Sequence, residues 1–204
     1  FPALALLVSG GHTELVLMRK WLDYKIIGQT RDDAAGEAFD KVAKMLGLPY
    51  PGGPQVAKLA DKKTSSVEER NGKTLDVEIK LPRPMINSKN YDFSFSGLKT
   101  AVLYLIRGLE KNYELRVTNY ALRVAICAEF QQAVIDVLIS KTIRATKEYK
   151  VKTLILGGGV SANQELRKQL GEKIKKEIPN TEYLIPNTKY TGDNAAMIAA
   201  AAYF

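Results

Sequence analysis

The sequence is poor in the residues that most often carry out chemistry. It holds one cysteine, Cys127, and one histidine, His12. A single thiol excludes a disulfide within the chain and fits a reducing compartment. A zinc or iron cage made of Cys and His needs several such ligands. This chain can offer one ligand to a shared site, or carboxylates to a hard ion. A serine or cysteine hydrolase would have His12 as its only base, and no sequence context supports that. Cys127 lies in an apolar stretch and reads as a buried structural thiol. Long apolar runs are also missing. The longest, Phe1–Val8 and Ala195–Phe204, fall well short of the ~20 residues that span a bilayer. No signal-peptide pattern, Walker motif or His-Glu-x-x-His motif occurs.

What remains is ordinary for a folded chain. The 204 residues are 46% hydrophobic and 25% charged, with 15 Gly and 8 Pro. That balance predicts one domain or two small ones with a real core. The net charge is +8, and Lys141–Lys176 alone holds ten basic and three acidic residues. A basic face points to an anionic partner, nucleic acid first. A solvated, lysine-rich helical surface is the other reading. The chain opens on Phe1-Pro2 without an initiator Met and closes inside an alanine-rich helix. It reads as a segment of a longer protein.

Periodicity gives the order of elements. Ala3–Val8, Thr13–Met18 and Tyr24–Gln29 read as three consecutive strands, antiparallel to one another. A helix is expected from Asp32-Asp33, whose acids suit the positive end of a helix dipole. Its apolar face is Ala35, Ala38, Phe39, Val42, Met45 and Leu46, and Gly47 ends it. Pro49–Pro54 reads as a loop, followed by a short helix over Gln55–Ala60. Lys62–Lys80 is a polar excursion whose Asn71-Gly72 pair suits a hairpin turn, and Leu81–Pro84 is extended. Ser96 would cap a helix from Gly97 to about Glu110. Asn119–Lys147 is one long buried helix. A strand at Thr153–Leu156, a Gly-rich loop, a helix over Ala162–Lys176, a strand at Tyr183–Ile185 and a helix capped by Thr191-Gly192-Asp193 complete the chain. The fold class is α/β, a mixed sheet with helices on its faces.

Three Gly-rich turns stand beside strands: Ser9-Gly10-Gly11-His12, Gly52-Gly53 and Gly157-Gly158-Gly159. Glycine allows close backbone approach and leaves N–H groups free to hold phosphate. The third also opens a helix, a second feature that favours an anion. Its spacing is not that of a dinucleotide fingerprint. A purely structural turn competes with a nucleotide contact at each of the three. Asp40 is either an exposed helix acid or an acceptor for a ribose hydroxyl. Asn163 is either a helix cap or a sugar or base contact, since an amide both donates and accepts. Asp193 is either a cap or one ligand of a metal. Lys99 is a phosphate contact or a surface lysine.

Six motifs occur in a fixed order: Leu6–Thr13, Asp32–Lys41, Tyr50–Pro54, Phe93–Thr100, Gly157–Asn163 and Thr191–Ile198. Together they resemble the TsaD family, the tRNA threonylcarbamoyladenosine synthases, in its bacterial branch. The resemblance implies an actin/Hsp70/sugar-kinase (ASKHA, RNase H-like) fold of two lobes. Residues 1–204 would be mostly the C-terminal lobe, with a helical and loop insertion around 48–118. It implies transfer of threonylcarbamoyl from threonylcarbamoyl-AMP to a base nitrogen of the adenosine next to the tRNA anticodon. By position, Leu7, Val8, Ser9, Gly10, Gly11, Asp40, Gly53 and Asn163 would bind the adenylate. Asp193 would be one ligand of an iron or zinc ion, whose histidine ligands would lie upstream of Phe1. At Ala57 some relatives carry an acid that touches the ligand, and this chain has none. The implied partners are tRNA and the proteins TsaB and TsaE, in the cytoplasm and away from membranes. No residue is assigned as general base. A small-molecule kinase of the same superfold and a non-catalytic scaffold are the alternative functions. The isolated segment would be inactive.

Overall fold

The computed structural model describes residues 1–63, 79–110 and 120–203. Five strands form one mixed sheet: β1 (Ala3–Val8), β2 (Thr13–Lys20), β3 (Asp23–Gln29), β4 (Thr153–Gly157) and β5 (Glu182–Leu184). Their order is β3-β2-β1-β4-β5. β1, β2 and β3 pair antiparallel, while β4 runs parallel to β1 and β5 parallel to β4. The three-strand start and the later alternation of strands and helices are therefore as the periodicity predicts.

Register explains the core. Leu4 lies opposite Leu17 and Leu154, and Leu6 opposite Leu15 and Leu156. All six are buried on one face of the sheet. Among the described residues six α-helices accompany it: α1 (Ala35–Met45), α2 (Gly52–Ala60), α3 (Ser96–Glu110), α4 (Tyr120–Glu148), α5 (Gln164–Glu177) and α6 (Ala195–Tyr203). α4 has 29 residues and is ~40 Å long. It buries Ile126, Cys127, Phe130, Ala133, Val134, Val137 and Leu138 completely or nearly so, as a central helix must. Phe130 meets Phe39 of α1 edge to face, with ring centroids 5.1 Å apart. α6 buries none of its residues. No described helix is long and apolar enough to cross a membrane.

The expected helix starts needed correction. α1 begins at Ala35, not at Asp32. Asp32 instead serves another helix. Its carboxylate accepts the backbone N–H groups of Phe95 and Ser96 at 2.9 and 3.2 Å and both hydroxyls, Ser94 Oγ and Ser96 Oγ. The start of α3 is thus capped by an acid 64 residues earlier, and Ser96 is inside the helix rather than its cap. Burial raises the Asp32 carboxyl, but these four donors outweigh it and hold it below the ordinary range. α2 begins at Gly52, so the Gly52-Gly53-Pro54 stretch is its first turn rather than a loop. At the far end of α1, Gly47 takes φ +67°, a conformation that ends helices at little cost for glycine. The Asn71-Gly72 hairpin and Asn119 lie outside the described residues.

Candidate functional site

Three separate pieces of chain are pinned together at the carboxyl end of β1. The Ser9–His12 turn closes on itself: Ser9 N–H donates to the His12 carbonyl, and Ser9 Oγ accepts from the amides of Gly11 and His12. Gly36, in the first turn of α1, donates its N–H to the Ser9 carbonyl at 3.1 Å. A Cβ on Gly36 would stand 2.6 Å from that carbonyl oxygen and 2.9 Å from Gly10 Cα. Glycine is therefore what lets α1 abut the turn. Gly158 has φ +87°, and a Cβ there would strike the Val8 backbone. The Gly157-Gly158-Gly159 loop consequently lies directly against β1.

A cavity of about 590 Å³ opens beside this junction, within the usual range for small-molecule sites. Gly10, Gly36 and Asp40 line it, together with Gly53, Gly159 and Asn163. All three Gly-rich turns thus contribute to one cavity. Of the residues singled out by sequence, Gly10, Asp40, Gly53 and Asn163 are on its wall. Leu7 and Val8 are β1 residues, half-buried and buried. Ser9 organises the turn through its hydroxyl, and Gly11 is exposed. None of these four lines the cavity. Ala57 does line it, at the position where the resemblance noted a missing acid.

Two of the wall residues have built environments. Asp40 Oδ1 accepts the Gly52 N–H at 2.7 Å, so α1 holds the start of α2. Asn163 caps α5: its Oδ1 accepts from Leu166 N–H at 2.9 Å. Its Nδ2 donates to Gln131 Oε1 at 2.7 Å. Both sides of the choice posed by sequence are therefore partly met, because a capping residue also stands in the cavity.

On the flank of α1, Asp33 pairs with Lys41 and with Lys99, each at 2.8 Å. Lys99 is thereby an ion-pair partner joining α3 to α1. Burial raises the Asp33 carboxyl, and the two lysines more than reverse it.

Sequence inspection missed Gly36 and Gln131. Gly36 sits within a helix pattern, where a glycine lowers helical propensity by about 1 kcal/mol; that misfit was a usable signal. Gln131 is a polar residue in the apolar stripe of α4, which was equally visible.

The basic stretch is less uniform than its composition. Lys141 is completely buried, and its Nζ donates to Ser88 Oγ at 2.7 Å. Lys147 and Lys173 both pair with Glu177. Those contacts outweigh a slight desolvation and hold the Glu177 carboxyl down at about 2. Lys150, Lys152, Lys168, Lys175 and Lys176 are exposed. A wider groove of about 1120 Å³ runs between α4 and α5. Its walls hold both signs of charge, much of it paired, and none of the Gly-rich turns.

Asp193 is exposed. The cap of α6 is Asn194, whose Oδ1 accepts from Met197 N–H at 2.9 Å. Among the described residues no group of three or more His, Cys, Asp or Glu is placed to hold a metal ion. One carboxylate does not make a coordination site, so these residues do not by themselves hold the implied iron or zinc.

The family model "tRNA N6-adenosine threonylcarbamoyltransferase" (TsaD) matches residues 1–200. The chain belongs to the TsaD family. A threonylcarbamoyltransferase of that name from Listeria welshimeri is 51% identical over 201 residues, which is 98% of this chain and 54% of the relative. One from Enterococcus faecalis is 47% identical over 203 residues, 100% of this chain and 53% of the relative. One from Geobacillus kaustophilus is 48% identical over 202 residues, 98% of this chain and 54% of the relative. The chain thus spans about half the length of the TsaD relatives it matches. A solved structure, T.kodakarensis HypF, is similar over 88% of this chain and 20% of that one, at 15% identity and a TM-score of 0.49.

Proposed function

We propose that this chain forms the adenylate-binding half of a tRNA N6-adenosine threonylcarbamoyltransferase of two-lobed ASKHA architecture. The observation that carries this reading is the convergence of three Gly-rich turns, Asp40 and Asn163 on one cavity, in a chain of the TsaD family.

The chemistry then follows from position. Backbone N–H groups of the Gly10 and Gly159 turns suit a phosphate, and the Asp40 carboxylate suits ribose hydroxyls. Asn163 offers an amide to the sugar or base. AMP is held there as the leaving group of threonylcarbamoyl-AMP. The adenosine N6 attacks the carbamoyl carbon, the carbon–oxygen bond to phosphate breaks, AMP departs with the electron pair, and the proton lost from N6 passes to solvent. Holding both reactants in line is itself a large contribution to rate. The exposed lysines of α5 and of the α4–β4 turn suit tRNA phosphates, with an affinity that falls as salt rises. Asp193 is one donor toward iron or zinc, and it needs partners from outside the described residues. TsaB- and TsaE-like proteins are the assigned partners.

The test compares residues 1–204 with the same sequence extended to the family's full length. The extended protein should modify tRNA when given threonylcarbamoyl-AMP, and the segment alone should bind AMP and transfer nothing. An extended, folded protein that leaves tRNA unmodified overturns the transfer reading. Transfer by the segment alone overturns its assignment as a half-site.

A further inference from the structure

Gln131 is a polar side chain in the apolar middle of α4, whose other buried polar residues, Lys141, Thr142 and Thr146, lie two or more turns further on. Cys127, Phe130, Val134 and Ile135 surround it in sequence with 0–1% exposure, and Gln131 itself is 5% exposed. Burying an amide costs free energy unless its donors and acceptors are matched. Gln131 lines the same cavity as Asp40 and Asn163.

The hydrogen-bond network fixes which way both amides face. The Leu166 N–H can only donate, so the atom that meets it must be Asn163 Oδ1. Asn163 then presents Nδ2 to Gln131, and the atom receiving it must be Gln131 Oε1. Gln131 is left with Nε2 and its two hydrogens. No described residue accepts from that nitrogen, and it is not among the unpartnered polar atoms sealed inside the protein. It therefore opens on the cavity.

We propose that Gln131 is a second ligand-binding amide of this cleft: Oε1 locks Asn163, and Nε2 donates to an uncharged acceptor on the nucleoside part of an adenosine nucleotide. The proposal rests on the adenylate reading above. It makes the Gln131–Asn163 pair one unit, anchored through Leu166 to the start of α5. Deleting Gln131 then removes one contact and frees another.

Two substitutions separate the roles, made in the full-length protein and read by calorimetric binding of adenosine and of AMP. Gln131→Met loses both functions. Gln131→Glu keeps an acceptor for Asn163 and, when ionised, has no donor for the ligand. Each should weaken both probes by about tenfold, the scale of one lost hydrogen bond. Adenosine affinity of Gln131→Glu should then recover as pH falls, because a protonated carboxyl donates again, whereas the unsubstituted protein should show no such recovery. Cooperative thermal unfolding of each variant checks that it is folded. Wild-type affinity in a folded Gln131→Glu at alkaline pH, with weakening confined to Gln131→Met, would overturn the donation and leave Gln131 only a lock. Weakening for AMP without adenosine would also overturn it, because the contact would then be to phosphate. If Asn163→Ala weakens AMP and neither Gln131 variant does, the cleft stands and Gln131 falls. If the unsubstituted protein binds neither probe, the adenylate reading itself falls, and this proposal with it.

Discussion

Asp40 Oδ1 receives the Gly52 N–H at 2.7 Å across a twelve-residue gap. One carboxylate of α1 thus ties down the Gly52-Gly53 turn that starts α2. The contact also closes two walls of the cavity onto each other. A Cβ on Gly52 would stand 2.8 Å from Asp40 Cα, so the close approach depends on glycine as well as on the acid.

Asp40→Ala should cost about 1 kcal/mol of stability, the usual size of a lost helix-start acceptor. Asp40→Asn retains an oxygen for Gly52 and should unfold close to the unsubstituted protein. Both should bind AMP more weakly, since the charge that suits ribose hydroxyls is gone. Denaturant melts and AMP titrations check the two effects separately. Unchanged AMP affinity in both variants would leave Asp40 a tie between helices and nothing more.

Gly36→Ala and Gly97→Ala should differ in sign. At Gly36 the added methyl meets Ser9 and Gly10 backbone at 2.6–2.9 Å, and backbone cannot yield cheaply. A loss of about 1–3 kcal/mol is expected, as for other overpacked sites. At Gly97 nothing lies within 4 Å, so alanine in the first turn of α3 should be neutral or stabilising by up to about 1 kcal/mol. Equal stability of the two variants in urea would show that α1 does not bear on the Ser9–His12 turn.

Lys141 gives the protein a testable alkaline response. Desolvation, with Arg144 adding repulsion and Asp92 opposing, brings its ammonium down to about 8 from an ordinary 10.5. Between those values the unfolded chain binds the proton and the folded one does not, so this residue's contribution to stability rises with pH across that window. Cys127, raised by desolvation to about 12, pulls the other way above pH 9. The clean measurement is therefore the difference between the unsubstituted protein and Lys141→Met. That difference should shift in favour of the unsubstituted protein from pH 8 to 10. A difference independent of pH would mean that Lys141 keeps its proton throughout, held by Ser88 and Asn90.

The order of the strands and of the long helices was legible from local pattern, though not where each helix starts. Alternation in Thr13–Met18 and the apolar runs of β1 and β4 depend only on which face of a strand is buried, a property readable two residues at a time. The same holds for α4, whose long uninterrupted pattern leaves no other reading. Motif order was likewise sufficient to place the chain in its family. What the tertiary structure alone decided was who partners whom over distance. Asp32 reads as the first turn of its own helix and instead caps α3. Lys141 looked like part of a basic surface and is buried. Asp40 and Asn163 each had two readings in sequence, and folding brought both to one cavity with Gln131 between Asn163 and the core. Local periodicity reports how a residue faces its own element. A hydrogen bond or ion pair between residues thirty to sixty apart depends on how the elements pack, and nothing in their local pattern encodes it.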